Sequence, residues 1–348
     1  MNDRLKQIYK LNMEEKCNMY PELPDVLPAV RRIIAIGDIH GDYKMAIKSL
    51  KLAKVINDKL NWIGGDTVVV QLGDQIDSCR ETPCNVKSNK NDKAEDIKIL
   101  KFFTKLHNKA LNDGGAVYSI MGNHELMNVV GRMDYVSYEN VRDFSGKLVN
   151  GKVIDDGMTA RKLMFQPGNE IAEFMACTRK LALVIGSNLF VHAGILPEIS
   201  RKYKISDMNQ LLSLYLMDSI EHRELINYAD LLGPEILYNV GNVNENVGDY
   251  YHVSPLWNRK YSKITSYVDS KLKCNEILSP LKEVYNVNNL LVGHTPQLDK
   301  GINSICNNRI HFVDVGVSRA FDMFRQQGGS KRVQVLEILN DNTFNVLK

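Results

Sequence analysis

The chain has 348 residues, 44% of them hydrophobic and 24% charged, an ordinary globular composition that excludes wholesale disorder. Its 44 basic and 41 acidic residues leave a net charge of +3, so the basic excess of a nucleic-acid binder is missing and no nucleic-acid partner is expected. No apolar run approaches the roughly 20 residues that span a bilayer, and the N-terminus lacks an apolar core and a small-residue cleavage site, so the expectation is a cytoplasmic protein with no membrane partner.

Residues 4 to 17 predict a short amphipathic helix through Leu5, Ile8, Tyr9 and Leu11. YPELPDVLP follows as an extended connector, so residues 1–31 are set apart from a core that begins at RRIIAIGD. The core pattern then recurs in TVVVQLGD (67–74), AVYSIMGN (116–123), LFVHAG (189–194) and NLLVGHT (289–295). Each is a short apolar run that stops at a Gly next to Asp, Asn or His, the mark of a buried central strand. Helical stretches fall at roughly 42–56, 93–112, 197–225 and 275–286. Strand–helix alternation predicts an α/β architecture with parallel pairing, in which ligands bind outside the carboxyl ends of the strands. Every polar block sits at such an end. After residue 296 the texture predicts antiparallel strands that form a second sheet packed on the first. Residues 131–180 carry little strand signal and read as a helix and loop insertion over the site, a cap; 226–260 is similar but less legible.

The blocks are Gly37-Asp38-Ile39-His40-Gly41, Gly73-Asp74-Gln75-Ile76-Asp77, Gly122-Asn123-His124-Glu125, Val191-His192-Ala193-Gly194 and Gly293-His294-Thr295-Pro296. Carboxylate oxygen, imidazole nitrogen and an amide carbonyl, with no cysteine, suit divalent Mn, Fe, Zn or Co rather than a thiolate-bound structural zinc. A carboxylate such as Asp74 can bridge two ions about 3.5–4 Å apart, and the pair lowers the pKa of water and clamps phosphoryl oxygens. Taken singly, Gly-Asp or Gly-His after a strand is usually a turn, His40 or His192 could be a core histidine, and Gly-Asn-His-Glu could be a helix cap. Five such blocks in order, each ending a predicted strand, point to chemistry.

These blocks resemble the calcineurin-like metallophosphoesterase superfamily, with its GDxHG, GDxxD, GNHE/D, VHxG and GHTP pattern. Within it the chain is most similar to the phosphoprotein phosphatases, especially the Shewanella-like branch, through GNHELMNVVGRMDYVS, VHAGILPE, SPLWNR, GHTPQ and VDVGVSRAF. The resemblance covers about residues 31 to 340. It implies a β-sandwich of two mixed sheets flanked by helices, spanning 32–348, with the cap inserted at 131–180. It further implies two divalent ions (Mn2+, Fe2+/Fe3+ or Zn2+), held by Asp38 and His40 on one side, bridged by Asp74, and held by Asn123, His192 and His294 on the other. Asn123 would also meet the substrate phosphate. His124 would be the general acid, with Asp77 orienting it and keeping it protonated, which is sound because an adjacent carboxylate favours imidazolium. The implied reaction is in-line attack on a phosphoester by a metal-bridging hydroxide, with a phosphorylated protein or small phosphoester as substrate.

One departure stands out. The family usually has Arg directly after the Asp of its second block; here that position is Ser78. Arg80 and, in SPLWNR, Arg259 are then the candidates to bind the phosphate by a bidentate fork. Arg259 could instead be a surface arginine beside Trp257, Arg319 a structural residue near the site, and the Lys run 87–93 a solvated loop. The six cysteines show no pairing rhythm beyond Cys79 and Cys84, so reduced thiols are the default; those two are either a redox-sensitive pair or unrelated thiols. The competing functions are hydrolysis of dinucleoside polyphosphates, suggested by the His-Ala-Gly-Ile block at 192–195, and a non-catalytic phosphate-binding protein, suggested by Ser78.

Overall fold

Strands that are apolar on both faces need cover on both faces, and the computed structural model supplies it in four layers. It describes residues 1–81, 84, 92–237, 247–264, 267–324 and 333–348. Two mixed sheets face each other. The first runs β1 (Val26–Leu27), β7 (Ala182–Ile185), β8 (Asn188–Val191), β9 (Asn289–Val292), β11 (Ile310–Phe312), β10 (Asn303–Ile305). The second runs β13 (Thr343–Leu347), β12 (Val335–Leu339), β2 (Arg32–Ile36), β3 (Val68–Gln71), β4 (Ala116–Ser119). A separate hairpin pairs β5 (Lys147–Val149) with β6 (Lys152–Ile154). The helices are α1 (Asp3–Lys16), α2 (Tyr43–Leu52), α3 (Asp96–Leu111), α4 (Asn123–Val129), α5 (Tyr138–Arg142), α6 (Gly157–Phe165), α7 (Glu170–Thr178), α8 (Pro197–Lys202), α9 (Ile205–Leu216), α10 (Ala229–Leu232) and α11 (Tyr267–Tyr285).

The period-2 alternation of strands sorts the layers. Ile33, Ala35, Val68 and Val70 point inward and meet Leu183, Ile185, Phe190 and Leu291 of the facing sheet. Ile34, Ile36, Val69 and Val117 point outward and are covered by Leu50 of α2 and Ile99, Phe103 and Leu106 of α3. On the far side Val184, Leu189, Val191 and Leu290 pack with Met175 of α7 and Met208 and Leu212 of α9. Each fully buried side chain of this kind contributes about 1.5–3 kcal/mol.

Register then places the site. β2, β3 and β4 are parallel and level, with Ile36 opposite Gln71 and Gln71 opposite Ser119. Asp38, Asp74 and Asn123 therefore leave the sheet at one edge. In the other sheet β8, β9 and β11 are also parallel, with Phe190 opposite Leu291 and Val292 opposite Phe312. His192, His294 and Asp314 leave at the corresponding edge.

Several expectations are corrected. The C-terminal strands do not form a sheet of their own. β10 and β11 extend the first sheet beside β9, and β12 and β13 extend the second beside β2. A hairpin is encoded locally, but the strand it docks on is whichever edge the rest of the fold leaves open. The run before LFVHAG is itself a strand, β7, turned back antiparallel onto β8 at Gly186, whose φ is +58°. The stretch 197–225 is not one helix: α8 ends before Tyr203, α9 follows, and a 3-10 segment occupies His222–Tyr228. Most of the Lys run 87–93 lies outside the described residues.

The reading of reduced thiols is also overturned. All six cysteines pair, as Cys17–Cys177, Cys79–Cys84 and Cys274–Cys306, with Cα separations of 5.3, 5.8 and 5.5 Å. Two of the links join residues 160 and 32 positions apart, which spacing along the chain could not reveal. The first fastens α1 to α7. The connector after α1 is anchored too: β1 pairs parallel with β7, and Lys180 donates to Asp25 at 2.8 Å. Among the described residues no helix is long and apolar enough to cross a membrane.

Candidate active site and metal centre

The turns that follow the strands are tight enough to force left-handed backbone on the polar residues themselves. His40, Asp74, Asp77 and His294 have φ of 41°, 50°, 70° and 62°, a region that costs a non-glycine residue roughly 1–2 kcal/mol. Four such residues in one cluster mark backbone strain held at a functional site. Two neighbouring glycines are sterically required: a Cβ on Gly122 would fall on Oδ1 of Asp74, and one on Gly293 on Oδ1 of Asp38.

The side chains converge on Asp74. Its Oδ2 lies 3.3 Å from Nε2 of His192, 3.7 Å from Nε2 of His40 and 3.9 Å from Nε2 of His124. Its Oδ1 accepts from the backbone N–H of His124 at 3.0 Å. Asp38 Oδ2 is 3.8 Å from His40 Nε2 and accepts from the His294 N–H at 2.9 Å. Oδ1 of Asn123 lies 2.9 Å from Nε2 of His192 and 2.9 Å from Nδ1 of His294. Two three-residue groups thus share Asp74: His40 and His124 on one side, His192 and His294 on the other.

The outer nitrogens settle what the inner ones do. His192 Nδ1 donates to the carbonyl of Leu72 at 2.7 Å and His294 Nε2 to that of Trp257 at 3.0 Å; Nδ1 of His40 lies 3.3 Å from the carbonyl of Ile76 and faces the Arg80 guanidinium. His294 therefore turns its bare Nδ1 inward, while Nε2 of His192 faces both Asn123 and the Asp74 carboxylate, which favours a proton there. Around Asn123 two imidazole nitrogens and an amide oxygen converge at 2.9 Å, a donor set that a cation can take once it displaces the proton of His192. Oδ1 of Asp38 and Oδ2 of Asp314 are buried without a partner. A buried cluster of carboxylate, amide and imidazole donor atoms at the floor of a cleft is what divalent cations require, so the residues fit a dinuclear centre. The electrostatics agree. Burial pushes Asp38 well above the usual carboxylate range, reinforced by Asp314 and Asp74. Burial also opposes the charge on Asp74, but His192 and His124 outweigh it and hold that carboxyl well below its ordinary value. His40 and His294 are kept neutral, first by burial and then by Arg80 and His192 respectively.

Beside this cage, His124 Nδ1 stands 2.9 Å from Oδ2 of Asp77, leaving Nε2 toward the cleft. Ser78 is buried; a Cβ on Gly41 would sit 2.8 Å from its Cβ, and its Oγ accepts from Asn140 at 3.4 Å. Ser78 does not line the cleft. Arg80 reaches in instead. Its Nη1 donates to the carbonyls of Asp77 and Cys79 at 3.1 and 2.7 Å, and its guanidinium lies 5.0 Å from the ring centroids of both Tyr135 and Phe321. Nη2 then comes within 2.9 Å of His40 Nδ1 and 3.4 Å of His124 Nε2. Arg259 lines the same cleft, a cavity of about 440 Å³ that also exposes Arg132 and Lys263. Arg319 is directed away from the cleft: it donates to Glu95 at 3.0 Å and to the Gly41 carbonyl at 2.7 Å.

Some of the supporting residues were not singled out from the sequence. The carboxylate of Glu125 accepts from the backbone amides of Gly122, Asp74 and Gln75 at 2.8, 3.0 and 2.7 Å, tying the second block to the third. Asn128 donates to both oxygens of Asp77 at 3.0 and 3.1 Å. Its signal was available, since it lies one helical turn after His124 on the same face. Asp314 gave none, because its role depends on β11 joining β9.

The calcineurin-like phosphoesterase family model matches residues 31–298. The chain belongs to that family. It is 38% identical to an uncharacterized protein of Acanthamoeba polyphaga mimivirus, over 71% of this chain and 97% of the viral one. It is 28% identical to Shewanella-like protein phosphatase 2 of Arabidopsis thaliana, over 83% of this chain and 72% of the plant protein. In structure this phosphoesterase resembles the cold-active protein-tyrosine phosphatase of a psychrophilic Shewanella species, with a TM-score of 0.60 and 22% identity over 94% of this chain and 83% of the other. The last likeness bears on the fold, two mixed sheets flanked by helices. The family is dinuclear and metal-dependent, and the chain is a hydrolase.

Proposed function

We propose that this phosphoesterase is a phosphoprotein phosphatase that removes phosphate from Ser, Thr or Tyr by direct in-line attack of an activated water, without a phosphoenzyme. The observation that carries the reading is the placement of His124, held by Asp77 at 2.9 Å with its free nitrogen 3.9 Å from Asp74 Oδ2. A general acid is needed where a poor leaving group departs; a protein that only binds phosphate has no use for one. Asp38, His40, Asp74, Asn123, His192 and His294 are the ligands assigned to two divalent ions, Mn2+, Fe2+/Fe3+ or Zn2+. When bound, the ions supply the acidity that activates water and the charge that balances the phosphoryl oxygens.

The rest falls to the chain itself. Arg80, pinned between Tyr135 and Phe321, and Arg259 across the cleft grip the phosphoryl oxygens, with the Asn123 amide beside them. His124 gives its proton to the leaving oxygen while Asp77 stabilises the imidazolium. Among the described residues the cleft is lined by Arg and Lys side chains with Asp74 as the only carboxylate, which suits an anionic segment around the phosphate. The name of the Arabidopsis relative supports a protein substrate.

A panel of phosphotyrosine peptide, phosphoserine peptide and diadenosine tetraphosphate, run with Mn2+, tests the proposal. The expected result is turnover of at least one phosphopeptide with kcat/KM above that for the dinucleotide. Faster cleavage of diadenosine tetraphosphate would replace this reading by the dinucleoside polyphosphate one.

A further inference from the structure

A buried chain of donors and acceptors runs from the segment 131–180 to the general acid. Its far end is Arg161 on α6, which is fully buried, its guanidinium 5.2 and 4.9 Å from the ring centroids of Phe144 and Phe165. Nε donates to Oδ1 of Asn128 at 2.8 Å and Nη2 to Oδ2 of Asp96 at 2.8 Å, while Nη2 also stands 3.6 Å from Oδ1 of Asp77. A guanidinium only donates. Asn128 must therefore show Arg161 its oxygen and turn its NH2 the other way. That NH2 meets both oxygens of Asp77, and Asp77 meets Nδ1 of His124.

We propose that Arg161 is a positioning residue for phosphoester hydrolysis: by fixing the orientation of the Asn128 amide it fixes Asp77, and through Asp77 the ring of His124. The inference rests on the reading of His124 as general acid. Reverse the amide, and an oxygen faces the Asp77 carboxylate, which repels it and frees the ring to rotate. A buried ion pair is seldom more stabilising than apolar residues of the same size. Charge in this place, two residues from the acid, is explained by orientation rather than by stability. Asp96 completes the arrangement as the fixed anchor of the other arm of the fork.

Positioning of a general acid has a signature that general loss of structure lacks. The proton matters in proportion to how poor the leaving group is, so the dependence of kcat on leaving-group acidity steepens when the acid is misplaced. The experiment compares a graded series of aryl phosphates, from phenyl to dinitrophenyl, on the Mn2+-loaded protein. Because Arg161→Met alone would strand a buried carboxylate, it is made together with Asp96→Asn, so that both charges leave. The expected loss in kcat is about ten- to a hundredfold for phenyl phosphate and under about threefold for the dinitrophenyl ester, with KM little changed. Adding His124→Asn should steepen the series no further. Arg161→Lys keeps the charge but cannot fork to Asn128 and Asp96 together, and it should steepen the series in the same direction even if the double variant does not fold. Equal losses for every leaving group would reduce Arg161 to a structural role and overturn the proposal. If His124→Asn itself fails to steepen the series, the general-acid reading falls and the relay with it. A steep series for His124→Asn beside a flat one for the Arg161 variants sinks the relay alone.

Discussion

Nη2 of Arg80 lies 3.4 Å from Nε2 of His124, so a cation and the assigned general acid address the same point of the cleft. In the family pattern the arginine directly follows the aspartate that orients the acid. Here Ser78 fills that position and the guanidinium arrives two residues later. Its route passes the carbonyls of Asp77 and Cys79 and the rings of Tyr135 and Phe321.

Removing that guanidinium separates binding from metal capture. Arg80→Ala should raise KM and the inhibition constant for inorganic phosphate about ten- to a hundredfold, since a hydrogen bond to a charged group is worth about 1.5–3 kcal/mol. Metal content should stay unchanged. Arg80→Lys should recover part of the affinity but not the bidentate geometry. Steady-state kinetics with phosphate as inhibitor, beside metal analysis, reads both. An unchanged inhibition constant would move the role to Arg259.

Metal binding should be visible in stability as well as in rate. Asp38, Asp74 and Asp314 are buried together, and cations bound only by the folded state stabilise it by mass action, about 2.7 kcal/mol at a hundred times Kd. Mn2+ should raise Tm by several degrees and a chelator should reverse the shift. In Asn123→Ala the gain should shrink, because the amide oxygen that faces both His192 and His294 is gone. A Tm indifferent to metal would contradict the assigned cage.

The Cys17–Cys177 link closes the longest loop in the chain, 160 residues, and ties α1 to α7. Its loss should cost about 2–4 kcal/mol. A Cys17→Ser/Cys177→Ser protein should melt lower than its parent in the absence of reductant, and the difference should vanish once both are reduced. Equal melting temperatures without reductant would show that the link adds nothing.

Acid should weaken the fold through two buried histidines that do not line the cleft. Burial holds His107 and His311 down to about 4, against about 6.5 in an unfolded chain. Between those values the unfolded chain takes up protons that the folded one refuses. Their contribution is therefore complete above about pH 6.5 and is lost as the pH falls toward 4, by up to about 3 kcal/mol each. His107→Gln keeps an acceptor for the Val117 N–H and should flatten the decline of the urea midpoint from pH 7 to 4.5. A decline as steep as the parent's would exclude His107 as its source.

The clustering of the assigned ligands was legible because its signals are local. Each assigned ligand closely follows a short apolar run and has a glycine within two residues, and at Gly122 and Gly293 the sterics of Asp74 and Asp38 demand it. Level, parallel strands then bring together blocks scattered along the chain from Gly37 to Pro296. What escaped depends on partners that no local pattern names. The pairing of Cys17 with Cys177 needs α1 to lie on α7. The role of Arg161 needs α6 to bury it against Asn128. The division of the C-terminal strands between two sheets depends on which edges stay open. Glu125 belongs to a block that alone reads as a helix cap, but its clasp of the Asp74 turn exists only once β3 and β4 are paired. Even the Ser78 departure was visible, whereas the reach of Arg80 required the aromatic pair that holds it.

The most direct test is hydrolysis of para-nitrophenyl phosphate by the purified chain after chelation, with Mn2+ returned in steps and His124→Asn alongside. The expected result is no turnover without metal, recovery that saturates near two ions per chain, and a rate for His124→Asn lower by at least about a hundredfold. Turnover that persists in chelator, or none with Mn2+, Fe2+ or Zn2+, would contradict a dinuclear phosphatase.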